Sequence, residues 1–169
     1  MKKICIIGSG GAGKSTLSLR LSSILDIPVF HLDTLFWKPG WIETKRPEFV
    51  KKVTWVIDTN KKWIIEGNYR STFHIRFDAA DTIIFLDYNR NVCVRQSIKR
   101  YFMYRKKKRP DMTEGCYERL DYDYFKWIWG FPKKYRPGVL SVLNLVKDRR
   151  NVIILRDKKE TERFLKNLR

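Results

Sequence analysis

The stretch Gly8-Ser9-Gly10-Gly11-Ala12-Gly13-Lys14-Ser15, with Thr16 behind it, decides how the rest of the chain is read. It matches G-x-x-x-x-G-K-[ST], and its flanks are the ones that pattern needs. An apolar β run, Lys3 to Ile7, leads into it and stops at Gly8. Behind it Leu17, Leu21, Ile24 and Leu25 recur at helical spacing, opposite Ser18, Arg20 and Ser22. Glycines let successive backbone N–H groups turn inward around phosphates, and the helix opening near Lys14 adds its positive end. Lys14 is placed to neutralise β- and γ-phosphate charge, and Ser15 to hold Mg²⁺ through its hydroxyl. The segment Gly8 to Thr16 thus predicts a nucleoside triphosphate site. It leaves open what is done with the nucleotide.

Working outward, short β runs alternate with helical periods. Pro28 introduces a second strand, Val29 to Leu32, and residues 33 to 45 read as a loop with a Pro39-Gly40 turn. Pro47 suits a first helical turn, and Phe49, Val53, Val56 and Ile57 give that helix its apolar stripe. Trp63 to Ile65 is a third strand, closed by Gly67-Asn68, and Thr82 to Leu86 a fourth. Asn91 to Tyr104 is helical, with Val94, Ile98, Tyr101 and Phe102 on one face. Residues 105 to 116 read as an exposed loop, and 117 to 147 as helix broken near Pro132 and Pro137. Asn151 to Leu155 is a fifth strand, and a closing helix carries Phe164, Leu165 and Leu168. Strands alternating with helices predict a parallel sheet covered on both faces, with ligands at the carboxyl ends of the strands. Every motif of interest falls at such an end.

With 169 residues the chain reads as one domain, 1–169. Hydrophobic residues make up 43%, enough for a core despite a net charge of +18. That charge predicts an anionic partner: nucleic acid, a membrane surface or a phosphorylated small molecule. Cys5, Cys93 and Cys116 are too scattered for a disulfide framework or a zinc cluster, which predicts a reduced, cytoplasmic protein. The apolar run before Gly8 is too short for a signal peptide, and none is long enough to span a membrane.

Asn60-Lys61-Lys62-Trp63 lacks the Asp of the guanine-reading N-K-x-D pattern, and no D-x-x-G occurs, which argues against a GTPase switch. Leu86-Asp87 is followed by Tyr88, not by the second acid a motor-type ATPase wants. A small phosphotransferase remains. The chain resembles an adenylate-kinase-type P-loop kinase over its whole length, and most of all the small topology modulation proteins, the FlaR-like group. Besides the loop at 8–16, the resemblance is carried by His31-Leu32-Asp33-Thr34-Leu35-Phe36-Trp37 with Pro39-Gly40-Trp41, Trp63-Ile64-Ile65-Glu66-Gly67-Asn68-Tyr69, Ala80-Asp81-Thr82-Ile83-Ile84-Phe85-Leu86-Asp87, and Gly115-Cys116-Tyr117-Glu118. It implies a three-layer α/β fold with a five-stranded parallel sheet in order 2-3-1-4-5. It also implies a short basic lid, near 105–118, and ATP- and Mg²⁺-dependent phosphoryl transfer to a small acceptor.

The resemblance also implies roles at the acceptor side. Asp33 falls where such kinases face the acceptor, and a carboxylate there can take a hydroxyl proton or hold Mg²⁺ through water; it could equally cap a turn. Glu66 falls where relatives carry an acid linked to Mg²⁺, with Asp87 its rival, though a buried acid beside a cation would look the same. Arg70 ends Glu66-Gly67-Asn68-Tyr69-Arg70, which resembles the D-G-F-P-R stretch whose Arg grips the acceptor phosphate. The second acceptor-phosphate Arg of adenylate kinases has no counterpart in Asp33 to Trp37, so a nucleoside or sugar-like acceptor suits the chain as well as a nucleotide. Trp37 and Trp41 could stack on a base or belong to the core.

Residues 95 to 109 hold eight cations and no acid. In the kinase reading Arg95 and Arg100 reach the transferring phosphoryl group, Arg105 and Arg109 sit in the lid, and Arg105 joins Arg95 and Arg100 in stabilising transition-state charge. The same run, Arg105 to Arg109, with Tyr101, Phe102 and Tyr104 nearby, could bind DNA or RNA, or simply be a solvated basic face. An ATP-binding protein acting on DNA topology, or a regulatory ATP binder without transfer activity, would carry the same loop.

Overall fold

The computed structural model describes residues 1–168. In chain order the elements are β1 (Lys3–Gly8), α1 (Lys14–Leu25), β2 (Val29–His31), α2 (Leu32–Phe36), β3 (Trp37–Lys38), β4 (Ile42–Glu43), α3 (Arg46–Thr59), β5 (Trp63–Glu66), a 3₁₀ turn (Arg70–Thr72), α4 (Phe73–Ala79), β6 (Thr82–Leu86), α5 (Arg90–Tyr104), α6 (Tyr122–Lys134), α7 (Arg136–Val146), β7 (Asn151–Leu155) and α8 (Lys158–Lys166).

Five strands pair in parallel in the order β2-β5-β1-β6-β7. Counted along the chain within this sheet, that is the expected 2-3-1-4-5. The three central strands, β5, β1 and β6, are apolar runs buried almost throughout, as strands covered on both faces must be. Their residues alternate between two cores. Cys5, Ile7, Ile65, Ile83 and Phe85 pack with α3, α4 and α7; Ile4, Ile6, Ile64 and Ile84 pack with α1, α8 and one side of α6. A Leu or Ile to Ala change in either layer costs about 2–5 kcal/mol.

Four segments differ from the expectation. β2 stops at His31, and residues 32 to 43 are not plain loop: α2 is followed by the β3–β4 hairpin, turning at Pro39-Gly40 with Gly40 and Trp41 at φ 76° and 63°. The buried side of α5 is Cys93 and Ser97, while Ile98 and Phe102 are 41% and 63% exposed. Small residues face inward because the helix approaches the glycine loop closely. A Cβ on Gly11 would lie 2.2 Å from the Cys93 carbonyl oxygen and 2.4 Å from Ser97 Oγ. Residues 105 to 116 are not uniformly exposed, since Arg109, Met112 and Cys116 are buried. The segment is tied to the hairpin by Thr113 Oγ1 donating to Trp37 O (2.7 Å) and Gly40 N to Gly115 O (3.3 Å). Finally, helix runs through Pro132 and breaks at Tyr135, with Pro137 in the first turn of α7, where its missing N–H costs nothing.

One buried cation holds the turn after β5. Arg76 is fully buried and donates to Thr72 Oγ1 (3.0 Å), Gly67 O (3.2 Å) and Tyr69 O (3.0 Å). Its fork satisfies two turn carbonyls that would otherwise be stranded.

Candidate active site

The loop from Gly8 to Thr16 leaves the carboxyl end of β1 at the centre of the sheet. Gly8, Gly11 and Gly13 adopt φ of 149°, 71° and 90°, the left-handed side that lets amides turn toward one point. Lys14 opens α1, and its Nζ donates to Ser9 O at 3.1 Å. Gly10 lies under Tyr124 of α6: a Cβ there would come within 2.3 Å of the tyrosine hydroxyl.

Parallel pairing sets Glu66 beside Ile6 and His31 beside Glu66, at the same ends of their strands. Ser15 Oγ donates to Glu66 Oε1 at 3.0 Å, and His31 Nδ1 lies 2.8 Å from the same oxygen. Burial works against a charged His31, but its hydrogen bond to Glu66 and that carboxylate's charge raise its pKa above the ordinary 6.5. Asp33, in the first turn of α2, accepts from the Tyr69 hydroxyl at 2.7 Å. Burial, then the Glu66 charge, push the Asp33 carboxyl up, against the pull of Tyr69, Lys14 and Arg109.

The 105–118 segment brings a second charged cluster to the same place. Arg109, buried, donates through Nε and Nη2 to both oxygens of Asp111 (2.9 and 2.8 Å) and through Nη1 to Glu118. Burial opposes charge on Asp111, but the bonds and charge of Arg109 outweigh it and hold the carboxyl well below its usual range. Arg100 of α5 lies 2.8 Å from Glu118 Oε1 and donates to the Tyr124 hydroxyl at 3.1 Å.

Two hollows flank these residues. One, of about 510 Å³, runs along Gly11, Gly13 and the start of α1 toward Gln96, Lys99 and Tyr104. The other, of about 380 Å³, lies between α2, the β3–β4 hairpin and α6, with Asp33, Trp37, Trp41, Tyr69 and Trp127 in its walls. Lys14, Ser15, Arg100 and Arg109 line both.

Of the residues expected at a site, Lys14, Ser15, Asp33, Trp37, Glu66 and Arg100 come together at this junction. Arg95 and Arg105 are exposed and line neither hollow, and the Arg105 guanidinium lies over Phe102. Arg70 is exposed too, its guanidinium against Gly138 of α7. Asp87, the rival to Glu66, is paired with Arg136 at 2.7 and 2.8 Å. Trp37 and Trp41 pack edge to face, 5.3 Å apart, and both line the hollow. The basic run is not a uniform stripe: Arg100 and Arg109 turn inward onto carboxylates and Lys108 pairs with Glu114. Asp111, Glu118, Tyr124 and Trp127 are the members that sequence reasoning misses. Only Glu118, inside the Gly115 to Glu118 segment, carries a signal; the others reach the site through tertiary contacts.

Hard oxygen donors surround the start of α1: the Ser15 hydroxyl donates to Glu66, and Asp33 and Asp111 line the two hollows that Ser15 borders. No group of three or more His, Cys, Asp or Glu among the described residues forms a metal cage. That donor set fits magnesium, which keeps several waters and is held by one or two side chains plus substrate phosphates. No helix among the described residues is long and apolar enough to cross a membrane.

No protein-family model matches the sequence, and no curated protein matches it. Solved structures do. Shikimate kinase from Acinetobacter baumannii, in complex with shikimate, has a TM-score of 0.61 at 15% identity, covering 99% of this chain and 90% of that one. A sugar kinase from Janibacter sp. HTCC2649 has a TM-score of 0.55 at 14% identity, covering 99% and 91%. Deoxyadenosine kinase from M. mycoides, with dCMP and dCDP bound, has a TM-score of 0.54 at 14% identity, covering 98% and 97%. Identities this low show shared architecture and nothing finer: the chain has the fold of the P-loop kinases.

Proposed function

We propose that the protein transfers the γ-phosphoryl group of ATP to the hydroxyl of a small acceptor. One observation carries the reading: two hollows, one built on the glycine loop and one on Asp33, meet along Lys14, Ser15, Arg100 and Arg109. The loop amides and Lys14 bind the triphosphate in the larger hollow, and the acceptor occupies the smaller. Ser15, steadied by Glu66, holds the Mg²⁺ that travels with ATP, whose charge offsets that of the β- and γ-phosphates. Asp33, oriented by Tyr69, takes the acceptor's hydroxyl proton as its oxygen attacks the γ-phosphorus. The bond from that phosphorus to the β-bridging oxygen breaks, and ADP leaves. Arg100 and Arg109 stabilise the charge on the phosphoryl oxygens in passage. In this reading the protein acts as a single domain, residues 105–118 are the lid that excludes water, and the nearest group is that of the topology modulation proteins.

Lys14→Ala tests the proposal. Acceptor-dependent ATP consumption should fall by about 10² or more while the circular dichroism spectrum stays that of the parent. A variant that keeps full turnover removes the assignment.

A further inference from the structure

The two hollows differ in electrical character. Six cationic side chains face a single carboxylate, Asp111, along the glycine loop, as a triphosphate requires. Five carboxylates and four cations line the other hollow, although the chain as a whole carries +18. Each of those four cations is already engaged. Arg109 is gripped by Asp111 and Glu118, and Arg100 lies against Glu118. Arg119 pairs with Asp121 at 3.3 Å and lies over the Trp41 ring, and Lys14 belongs to the loop. Two carboxylates of the lining, Asp33 and Asp123, have no cationic partner within ion-pair distance among the described residues. Arg70, the side chain expected to grip an acceptor phosphate, stands outside this hollow.

An acceptor anion entering here would lose its hydration, would find Arg119 held by Asp121 and the cations shared with the glycine loop, Lys14, Arg100 and Arg109, committed to the nucleotide's phosphates, and would meet carboxylates of its own sign. Resting on the phosphotransfer reading, we infer that the acceptor carries no phosphate or carboxylate. It is a neutral or amino-bearing hydroxyl compound, with a flat or apolar face against Trp37, Trp41 and Trp127. The carboxylates reject phosphorylated or carboxylated analogues, which is specificity by repulsion.

The test is isothermal titration of the full chain, loaded with a non-hydrolysable ATP analogue and Mg²⁺. The probes are matched pairs: deoxyadenosine and its 5′-monophosphate, thymidine and its 5′-monophosphate, glucose and glucose 6-phosphate, with shikimate as a carboxylate. At least one neutral member should bind, and roughly tenfold or more tighter than its charged counterpart. Glu118→Gln, which frees part of the Arg100 and Arg109 charge, should shift that ratio toward the charged member. Tighter binding of the charged member in any pair, of shikimate over every neutral probe, or of no neutral probe at all overturns the inference while leaving nucleotide binding in place. Failure of the ATP analogue itself to bind overturns the phosphotransfer reading as well.

Discussion

Asp33 lines one hollow and Asp111 the other, Lys14 and Ser15 line both, and the two carboxyls are pushed in opposite directions. Arg109 keeps Asp111 ionised, while burial and the neighbouring Glu66 raise the proton affinity of Asp33. A carboxylate with raised affinity is the better proton acceptor once ionised. Turnover should therefore climb with pH as Asp33 loses its proton, along a limb lying above the ordinary 3.8. Asp33→Asn should remove that limb and cost about 10²–10⁴ in kcat. Stability runs the other way. A group whose pKa is raised by folding contributes fully below its unfolded value and loses that contribution as pH rises through its folded one. The amide keeps the uncharged form at neutral pH, so this variant should melt at or above the parent temperature in a thermal scan at pH 7. A fall in both rate and melting temperature would show Asp33 to be structural.

At the scale of elements, α5 and the 105–118 segment divide their arginines by direction, not by count. Arg100 and Arg109 point to the junction of the hollows, while Arg95 and Arg105 point to solvent. An alanine series read by turnover and urea unfolding separates them. Arg100→Ala should cost on the order of 10³ in kcat. Arg95→Ala and Arg105→Ala should each change it by less than about threefold. Arg109→Ala should also lower stability by about 3–5 kcal/mol, because it strands Asp111 without its cation and leaves Glu118 with Arg100 alone. Equal losses at all four positions would contradict the division. The helix period alone points to Val94, Ile98, Tyr101 and Phe102 as the inward face of α5. What turns the helix is contact with the glycine loop, where only Cys93 and Ser97 are small enough. A local pattern cannot register that, since the constraint comes from residues some eighty positions away.

For the molecule as a whole, layers and strand order are legible because β1, β5 and β6 are apolar runs with punctuation at their ends, and the glycine loop is legible because Gly8, Gly10, Gly11 and Gly13 fall within one short stretch. The hollow beside Asp33 is far less so. Its walls come from α2, the hairpin, α6 and the 105–118 segment, and the pairings that fix its polarity, Arg109 with Glu118 and Arg119 with Asp121 among them, depend on tertiary placement. If the protein is the proposed phosphotransferase, that polarity also sets the order in which products depart. In the proposed reaction, transfer would add a dianionic phosphate to a guest that still sits among carboxylates, and would leave ADP among lysines and arginines. Coulomb repulsion ejects the first product, and attraction retains the second. Initial-velocity measurements should find ADP the stronger product inhibitor, and ADP departure the step that paces the cycle.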